Sequence, residues 1–373
     1  MRETLLPLDE ALALVRAALP RKGSPRLTAD RDDPALDRSA MDGAAMRHAE
    51  GDAPRILLGT LYAGDDPSRF HIGPHEAVRI MTGAALPAGA DAVVPVEELR
   101  IEGDRIFPAR PPKPGEAIRT RGSQARAGEL LLPGGGPSTA ARAGLAAQIG
   151  MEPEPPRRIQ AGIASTGDEL AGVPLPHQIR DSNGPMLAAL AHRLGADARR
   201  LPSLPDDPEA LQRRLSDLGN VQVLLTSGGV SMGDKDHLPS VLKALGANIL
   251  FHKIRLKPGK PMLVALLGDR VVLGLPGNPQ SAYLNALLFL PVVLSGLEGS
   301  IEPDPWKRGH LGEAVKNPGD RPLLLPCRLQ DGRLTPLRSK GSGDLITLAQ
   351  ADACAWIPEG GMEAGETKYL QVV

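Results

Sequence analysis

The stretch from Val221 to Pro261 reads VQVLLTSGGVSMGDKDHLPSVLKALGANILFHKIRLKPGKP, and the predicted fold is organised around it. Its apolar start, Val221 to Thr226, predicts a buried strand that ends in a glycine-rich loop. Glycines let backbone N–H groups approach a ligand closely, and successive amides can form a concavity that binds anions. A helix with Pro239 near its start and Gly246 just past its end should follow, and its N-terminus would add positive partial charge.

A second loop, Lys257 to Pro261, follows another predicted strand, Asn248 to Phe251. Two prolines stiffen this loop, so the charges of Lys257 and Lys260 should be held in place. The glycine amides, the two ammonium groups and the carboxylates of Asp234 and Asp236 together indicate a phosphate-bearing ligand with a metal ion. Each loop alone is typical of an ordinary turn or a solvated surface. We favour the binding site because both loops surround one predicted strand edge.

The composition is that of a globular protein with several domains. A length of 373 residues predicts two to four domains, and 42% hydrophobic residues suffice for their cores. The 43 basic and 44 acidic residues nearly cancel, which argues against a nucleic-acid-binding protein that relies on positive charge. Cys327 and Cys354 are too few for a zinc cluster or a disulfide framework, so we expect two reduced core thiols.

The sequence predicts a soluble, cytoplasmic protein without membrane contact. No signal peptide is evident, and the longest apolar stretch, Ala286 to Leu294, is too short for a membrane span and contains Pro291. The chain also lacks a G-x-S-x-G motif and a zinc-binding His pattern. Gly259-Lys260 precedes Pro261 instead of the Ser or Thr of a P-loop. These absences count against a standard hydrolase, a zinc enzyme and a P-loop ATPase.

Predicted strands and helices alternate from Arg158 to about Leu294. Ile159 to Ser165 predicts a strand that ends in Thr166-Gly167-Asp168-Glu169, a position typical of metal ligands in α/β domains, although the acidic pair alone is more typical of a cap. Asn183 and Asp207 are predicted to cap the next two helices. This alternation predicts a three-layer α/β domain with its ligand loops at the carboxyl ends of the strands.

The segments on either side of this domain have β patterns. Leu8 to Leu19 predicts an amphipathic helix, and Arg21 to Arg121 contains the short apolar runs of a small β domain. Ser138 to Gly150 predicts another helix, which ends before a proline-rich linker. Beyond Pro305 the pattern predicts strands again, with Asp331-Gly332 as a hairpin turn, so the tail should form a small barrel or sandwich.

Short motifs extend over nearly the whole chain. In order they are Ser39–Gly43, Arg79–Ala84, Pro87–Val94, Ser165–Leu170, Asp181–Asn183, Asp206–Pro208, Ser227–Gly233, Lys257–Pro261 and Gly274–Pro279. Taken alone, each is typical of a turn; Asp42 before Gly43 is an example. Together and in this order they are specific, and the chain resembles the molybdopterin molybdenumtransferases, which carry out the last step of molybdenum-cofactor synthesis.

The resemblance implies a multidomain α/β plus β fold and an elongated homodimer. The active cleft would lie between the α/β domain of one protomer and the β domain of the other. The implied domains are a discontinuous N-terminal helical and linker domain (1–20 with 125–156), a small β domain (21–124), a three-layer α/β molybdopterin-binding domain (157–300) and a C-terminal β-barrel-like domain (301–373).

The resemblance also implies the reaction and its ligands. Enzymes of this family insert molybdate into adenylated molybdopterin, use a divalent cation such as Mg²⁺, and release AMP and molybdenum cofactor. A molybdopterin adenylyltransferase is a candidate protein partner that would supply the substrate. The physical chemistry agrees, because carboxylates repel anionic substrates unless a cation bridges the two.

The resemblance assigns roles to individual residues. The catalytic residues would be Asp42, Thr82, Glu169 and Asp236, the first two from the partner protomer. The metal ligands would be Glu169, Asp207 and Asp236. The residues expected to bind the pterin and phosphate groups are Ser227, Gly228, Gly229, Ser231, Gly233, Lys257, Lys260, Pro276, Gly277 and Asn278.

Two positions depart from the family pattern. Gln124 stands where the family has an Asp in a Gly-Glu-Asp element, and Ala44 replaces a Tyr. A carboxylate lost from the cleft would change metal affinity or slow turnover. The alternative hypothesis is therefore a non-catalytic molybdopterin-binding or scaffold protein on the same fold. The retained acidic residues and both lysines favour the enzyme.

Overall fold

The structure, a computed structural model, describes residues 5–19, 23–152, 158–230 and 236–373. Its internal contacts divide the chain into two compact units. Unit A consists of Met1–Gly23, Pro137–Thr139 and Pro155–Val373, and unit B consists of Ser24–Gly136 and Ala140–Glu154. The finer division into four domains stays a prediction.

The helices near the start of the chain agree with the sequence patterns to within two residues. The α-helices of the described residues are α1 (Leu8–Ala18), α2 (Ala140–Gln148), α3 (Asn183–Arg193), α4 (Pro208–Ser216), α5 (Leu238–Ala244), α6 (Pro279–Glu298) and α7 (Leu345–Gln350).

The strands are mostly short. In unit B they are β1 (Leu27–Thr28), β2 (Arg38–Ser39), β3 (Gly43–Met46), β4 (Arg55–Leu61), β5 (Glu76–Ile80), β6 (Ala92–Pro95), β7 (Leu99–Glu102), β8 (Arg105–Pro108), β9 (Ile118–Arg119) and β10 (Leu130–Leu132). In unit A they are β11 (Gln160–Ser165), β12 (Asp197–Arg200), β13 (Val223–Ser227), β14 (Asn248–His252), β15 (Leu263–Leu267), β16 (Arg270–Leu275), β17 (Trp306–Leu311), β18 (Val315–Asn317), β19 (Leu323–Gln330), β20 (Arg333–Pro336), β21 (Ala353–Ile357), β22 (Gly360–Met362) and β23 (Gly365–Gln371).

Unit A is built on a six-stranded sheet with the order β12-β11-β13-β16-β15-β14. The first four of these strands are parallel, whereas β15 and β14 join antiparallel at one edge. The predicted buried strand is β13, and all of its residues are buried. The carboxyl ends of β11, β13 and β16 therefore meet at one end of the sheet, where open α/β sheets bind their ligands.

Helices cover both faces of this sheet. Side chains alternate along β13, so Val223 and Leu225 belong to one core and Leu224 to the other. The first core includes residues of α1, α3 and α6, and the second includes residues of α4 and α5. These layers confirm the predicted three-layer α/β domain.

The central helix α6 is longer than the sequence pattern predicted. It continues past Leu294 to Glu298 and ends at Gly299, whose φ of 70° is the left-handed conformation typical of a helix stop. By length and composition α6 could cross a membrane, which corrects the estimate from the shorter stretch, Ala286 to Leu294. Its most apolar window is 89% buried inside the structure, so α6 serves as a core helix of unit A.

The C-terminal part of unit A contains a closed barrel with the strand order β17-β20-β19-β21-β23. The β19–β20 hairpin turns at Asp331-Gly332, as predicted. Cys327 and Cys354 are buried and unlinked. Burial raises the pKa of Cys327 to about 11 and that of Cys354 to about 12. Both are therefore unreactive core thiols, as expected.

Asp344 caps α7 through Oδ1, and its Oδ2 accepts hydrogen bonds from the Thr347 hydroxyl at 2.6 Å and from the segment before the helix. Its Oδ2 accepts a hydrogen bond from the Lys340 N–H at 2.9 Å, and its Oδ1 accepts one from the Thr347 N–H at 3.0 Å. The Lys340 bond, followed by those from Thr347, lowers the pKa of Asp344 to about 2. Since an unfolded Asp has a pKa of about 3.9, the cap stabilises the fold above about pH 4, and this stabilisation is lost as the pH falls towards 2.

We therefore expect Asp344→Ala to lower the melting temperature by a few degrees near neutral pH. The difference from the wild type should shrink as the pH falls from about 4 towards about 2, because protonation removes the same acceptor from the wild type. Asp344→Asn keeps one capping oxygen and should lie between the two. Calorimetric melting at several pH values measures this. A difference that stays constant with pH would show that the carboxylate charge has no part in the cap.

Unit B contains a second six-stranded sheet, with the order β6-β3-β5-β4-β8-β7. Ala45, Val78 and Val93 from β3, β5 and β6 contribute to one small core on this sheet. Beside it, β1 pairs with β10, and α2 packs on them through Ala146. These short strands confirm the β pattern predicted for this part of the chain.

Candidate functional site

A cavity of about 310 Å³ lies in unit A where β11, β13 and β16 end. We name it the acidic cavity because four acidic residues, Glu169, Asp181, Asp206 and Asp236, line it, against Arg180 as the basic residue of its described lining. The strand-end segments Ser165–Gly167 and Ser227–Gly229 form part of its wall, together with the first turns of α3 and α6. The cavity therefore occupies the end of the sheet at which the sequence predicted ligand loops.

Four acidic residues line this cavity, Glu169, Asp181, Asp206 and Asp236, and two of them, Glu169 and Asp236, belong to the predicted metal ligands. Asp207 caps α4, because its Oδ1 accepts a hydrogen bond from the Ala210 N–H at 2.8 Å. Its neighbour Asp206 lines the cavity together with Glu169 and Asp236. The prediction that Asp207 caps a helix is therefore confirmed. The residue of this pair that lines the cavity is Asp206, which the predicted metal ligands did not include.

No group of three His, Cys, Asp or Glu side chains in the described part of the chain is close enough to form a ready-made metal cage. Mg²⁺ does not need such a cage. It is usually held by one or two carboxylates, with water and substrate phosphate oxygens completing its shell. The carboxylates of Glu169, Asp206 and Asp236 thus fit a cation that binds together with a phosphate-bearing ligand.

The loop after β13 needs glycine at its start. Gly228 and Gly229 have φ angles of 95° and 70°, in the region that favours glycine. A Cβ on Gly228 would lie 2.8 Å from the Thr166 carbonyl oxygen, which belongs to the backbone and cannot turn away. The Gly228 N–H donates to the Leu275 carbonyl at 3.0 Å. This amide is therefore used within the fold, and the predicted anion-binding role does not apply to it.

Asn183 does not cap α3, contrary to the prediction. It is the first residue of the helix, and Asp181 Oδ1 accepts the hydrogen bond of the Gly184 N–H at 2.8 Å. The Asn183 Nδ2 instead donates to Ser227 Oγ at 2.5 Å and to the Gly277 carbonyl at 2.7 Å. The side chain therefore connects the last residue of β13 with the segment that follows β16.

A second cavity of about 560 Å³ adjoins the acidic cavity at Asn278, which lines both. We name it the basic cavity because Lys257, Lys260 and Arg321 line it, whereas its described lining residues include no carboxylate. Three cations around one space create a positive field that suits an oxyanion. The two cavities thus place sites of opposite charge next to each other within unit A.

The backbone of the lysine loop is fixed by the C-terminal part of unit A. The Lys257 N–H donates to the Pro322 carbonyl at 2.9 Å, and the Leu324 N–H donates to the Lys257 carbonyl at 2.7 Å. Asn278 Nδ2 donates to Ser342 Oγ at 2.9 Å on the opposite wall. The side chains of Lys257 and Lys260 remain exposed, so their charges are available while their backbone is held.

Asp42 and Thr82 lie together in unit B. Asp42 Oδ1 accepts hydrogen bonds from the Thr82 hydroxyl and from the Thr82 N–H, both at 2.7 Å. The hydroxyl bond first, and then the backbone bond, lowers the pKa of Asp42. The pair therefore keeps Asp42 ionised and fixes its direction.

Gln124 lies in unit B, where it lines a separate cavity of about 250 Å³ together with Asp30 and Asp33. Its side chain is exposed, and its backbone N–H donates to the Asp33 carbonyl at 2.9 Å. Gln124 thus shares a cavity of its own unit with two acidic residues and with Arg31.

The predicted ligand residues divide between the two cavities. Ser227, Gly228, Gly229 and Gly277 line the acidic cavity, Lys257, Lys260 and Pro276 line the basic cavity, and Asn278 lines both. Ser231 and Gly233 lie outside the described residues. Sequence reasoning missed Asp206, Arg321 and the bridging role of Asn183. Asp206 could have been inferred, because its neighbour Asp207 was already predicted to cap a helix. The residues next to Arg321 in the sequence give no indication of its role.

Family models match three successive parts of the chain. Residues 162–295, which include the central sheet and the acidic cavity, match the probable molybdopterin binding domain. Residues 2–150 match the MoeA N-terminal region, and residues 308–368 match the MoeA C-terminal region. The sheet and its cavity therefore define a domain of the molybdopterin-binding class.

Curated relatives are similar over most of their length. A molybdopterin molybdenumtransferase of Nostoc is 38% identical over 353 residues, covering 88% of this chain and 80% of the relative. The enzyme of the same name from Bacillus subtilis is 33% identical, covering 100% of this chain and 95% of the relative. This chain belongs to the molybdopterin molybdenumtransferase family, which the sequence motifs had indicated.

A solved structure agrees with the fold. The crystal structure of a molybdopterin biosynthesis MoeA protein from Pyrococcus horikoshii has a TM-score of 0.74 and 27% sequence identity, and the match covers 99% of both chains. The predicted multidomain fold, with an α/β domain, a small β sheet region and a C-terminal barrel, is therefore confirmed.

Proposed function

We propose that this protein inserts molybdate into adenylated molybdopterin and releases AMP and molybdenum cofactor. The observation that carries the proposal is the junction of an acidic and a basic cavity at Asn278. In this proposal the acidic cavity holds the divalent cation that binds the substrate phosphates, and the basic cavity beside it attracts the separate oxyanion. Relatives named molybdopterin molybdenumtransferase support the assignment.

Lys257, Lys260 and Arg321 supply the positive charge for the oxyanions. Molybdate and the pyrophosphate link of the substrate are both anionic, and ammonium and guanidinium groups stabilise them without a proton transfer. As the pyrophosphate link is cleaved, negative charge grows on the departing phosphate. Cations held on a fixed backbone stabilise that charge without reorganising, which lowers the barrier.

A divalent cation belongs to the acidic cavity in this proposal. One or two of Glu169, Asp206 and Asp236 would hold it, with phosphate oxygens of the substrate as its other ligands. When bound, the cation would offset the repulsion between these carboxylates and the phosphates. Asp207 takes part by holding α4 in place, since its carboxylate accepts the Ala210 N–H.

We also propose a cytoplasmic homodimer in which Asp42 and Thr82 of one copy complete the acidic cavity of the other. Their mutual hydrogen bonds hold an ionised carboxylate in a fixed direction, which suits a group that must meet a substrate bound elsewhere. A molybdopterin adenylyltransferase is the partner we expect to supply the substrate. The nearly balanced charge of the chain gives no support to a nucleic-acid partner.

A non-catalytic molybdopterin-binding or scaffold protein would need the cavities for binding alone. Such a protein would not need positive charge to stabilise the negative charge that develops on a departing phosphate. The three cations of the basic cavity and the oriented carboxylate of Asp42 favour the transferase.

The decisive experiment is a turnover assay with adenylated molybdopterin, molybdate and Mg²⁺. We expect AMP release that depends on the protein, on molybdate and on the divalent cation, and a product that activates a molybdenum-free apoenzyme. Chelation of the cation should abolish release. Tight binding of adenylated molybdopterin without AMP release under any of these conditions would instead identify the binding protein.

A further inference from the structure

Two buried asparagines hold the ligand loops, and one of them, Asn183, also lines the acidic cavity. Asn183 is 8% exposed and Asn285 is fully buried. Each donates a side-chain N–H to the carbonyl of a glycine in a loop that lines a cavity: Gly277 for Asn183 and Gly259 for Asn285. One asparagine thus serves each cavity.

The carboxamide of Asn183 can adopt only one orientation. Its Nδ2 lies 2.7 Å from the Gly277 carbonyl, which only accepts hydrogen bonds, so an amide flip would place two oxygens against each other. The other N–H of Nδ2 donates a hydrogen bond to Ser227 Oγ. Asn183 therefore fixes the distance between the end of β13 and the turn before α6.

Asn285 holds the lysine loop in the same way. Its Nδ2 donates to the Gly259 carbonyl at 3.0 Å, between Lys257 and Lys260 in the sequence. Gly259 has a φ of 118°, and a Cβ there would lie 2.6 Å from Asn285 Oδ1. Both the backbone conformation and the packed carboxamide therefore require glycine at this position.

Stability alone gives a poor account of these asparagines. The Oδ1 atoms of Asn183 and Asn285 are buried and have no hydrogen-bond partner among the described residues. An unpaired buried oxygen is unfavourable, and an apolar side chain of similar size would avoid that penalty. Asn317 has the same unpaired oxygen, but it donates to the carbonyls of Arg321 and Pro358, outside both glycine segments. Asn183 and Asn285 therefore differ from Asn317 in their acceptor, which is the carbonyl of a glycine in a ligand loop.

We infer that Asn183 and Asn285 are positioning residues, each specific to one cavity. Asn183 sets the walls of the acidic cavity for the pterin-bearing substrate, and Asn285 sets the two lysines of the basic cavity for the oxyanion. The assignment of ligands rests on the proposed function, whereas the assignment of loops does not.

The test compares Asn183→Leu with Asn285→Leu, because leucine keeps the volume and removes the donor. By calorimetry, Asn285→Leu should weaken binding of molybdate alone by about 10-fold or more and leave binding of molybdopterin within about 2-fold; Asn183→Leu should do the reverse. Each variant leaves a glycine carbonyl without its donor, so its melting temperature should fall by a few degrees, and binding is measured well below that temperature. Equal losses for both probes in either variant, or no loss in both, would overturn the inference.

A measurement without any ligand separates this inference from the proposed function. In hydrogen exchange of the unliganded protein, Asn285→Leu should speed exchange at 257–260 only, and Asn183→Leu at 227–230 and 277–278 only. Asn183→Ala and Asn285→Ala repeat the comparison if leucine prevents folding, and Asn317→Leu is the control that should leave both segments of the acidic cavity unchanged. A wild type that binds neither probe would defeat the proposed function, yet the exchange data would still decide the positioning roles.

Discussion

Replacing Lys257 or Lys260 with alanine should lower AMP release by about 100-fold or more while the melting temperature stays unchanged. Both side chains are exposed and line the basic cavity, so their loss removes positive charge from the oxyanion site without opening the core. Molybdate affinity, measured by calorimetry, should fall with activity. Retention of charge in Lys257→Arg and Lys260→Arg should preserve part of the affinity, although the guanidinium has a different shape.

The control for this experiment is Lys243→Ala. Lys243 is also exposed, lies in the last turn of α5 and lines neither cavity. Its replacement should leave molybdate affinity and AMP release unchanged. If both Lys257→Ala and Lys260→Ala bind molybdate as tightly as the wild type, these lysines have no role in oxyanion binding.

Mixing two inactive variants should restore activity if the protein acts as the proposed dimer. Asp42→Asn and Asp236→Asn are each expected to be nearly inactive, because each removes a carboxylate from every cleft. In a mixed dimer, the Asp42→Asn chain retains an intact Asp236 and receives Asp42 from its partner. One cleft in such a dimer is complete, so an equimolar mixture should recover roughly a quarter of wild-type activity.

Subunit exchange must be demonstrated for this mixture, for example with two differently labelled chains. A doubly substituted chain, Asp42→Asn with Asp236→Asn, is the matched control, and it should restore nothing when mixed with either single variant. A mixture that exchanges subunits yet remains as inactive as its parents would place Asp42 outside the partner's cleft.

The local parts of this fold could be predicted from the sequence. The apolar run at Val221, the glycines at 228 and 229 and Pro239 each act through neighbouring residues, and they give β13, its loop and α5 as expected. Asp207 followed by Pro208 similarly defined the start of α4. These features depend on backbone conformations that a few adjacent residues decide.

The roles of Asn183 and Asp206 could not be predicted in this way. Asparagine at a helix start usually caps it, but Asp181 accepts the N–H of Gly184 and leaves Asn183 to reach Ser227 and Gly277. Asp206 faces the acidic cavity because its neighbour, Asp207, is used to cap α4. Such choices are made by partners far away in the sequence.

The basic cavity shows the same limit on a larger scale. Its lysine loop was recognised from the spacing of Lys257 and Lys260, but Arg321 and Ser342 complete the cavity from the C-terminal part of the chain. No local pattern links these segments. Hydrogen bonds between residues far apart in the sequence bring them together, among them those of Lys257 with Pro322 and Leu324 and that of Asn278 with Ser342.

The packing of α1 has a consequence for how the protein is made. Its apolar face, including Leu12 and Val15, belongs to the same core as α6, and Arg16 pairs with Glu302 beyond that helix. A ribosome releases α1 first and α6 only after most of the chain, so at ordinary elongation rates the face of α1 waits on the order of tens of seconds for its partner. During that interval the apolar face of α1 is exposed on the nascent chain, where chaperones that act at the ribosome exit can bind it. Because α1 must wait for α6, the helical layer that these two helices form on one face of the sheet is completed late in synthesis.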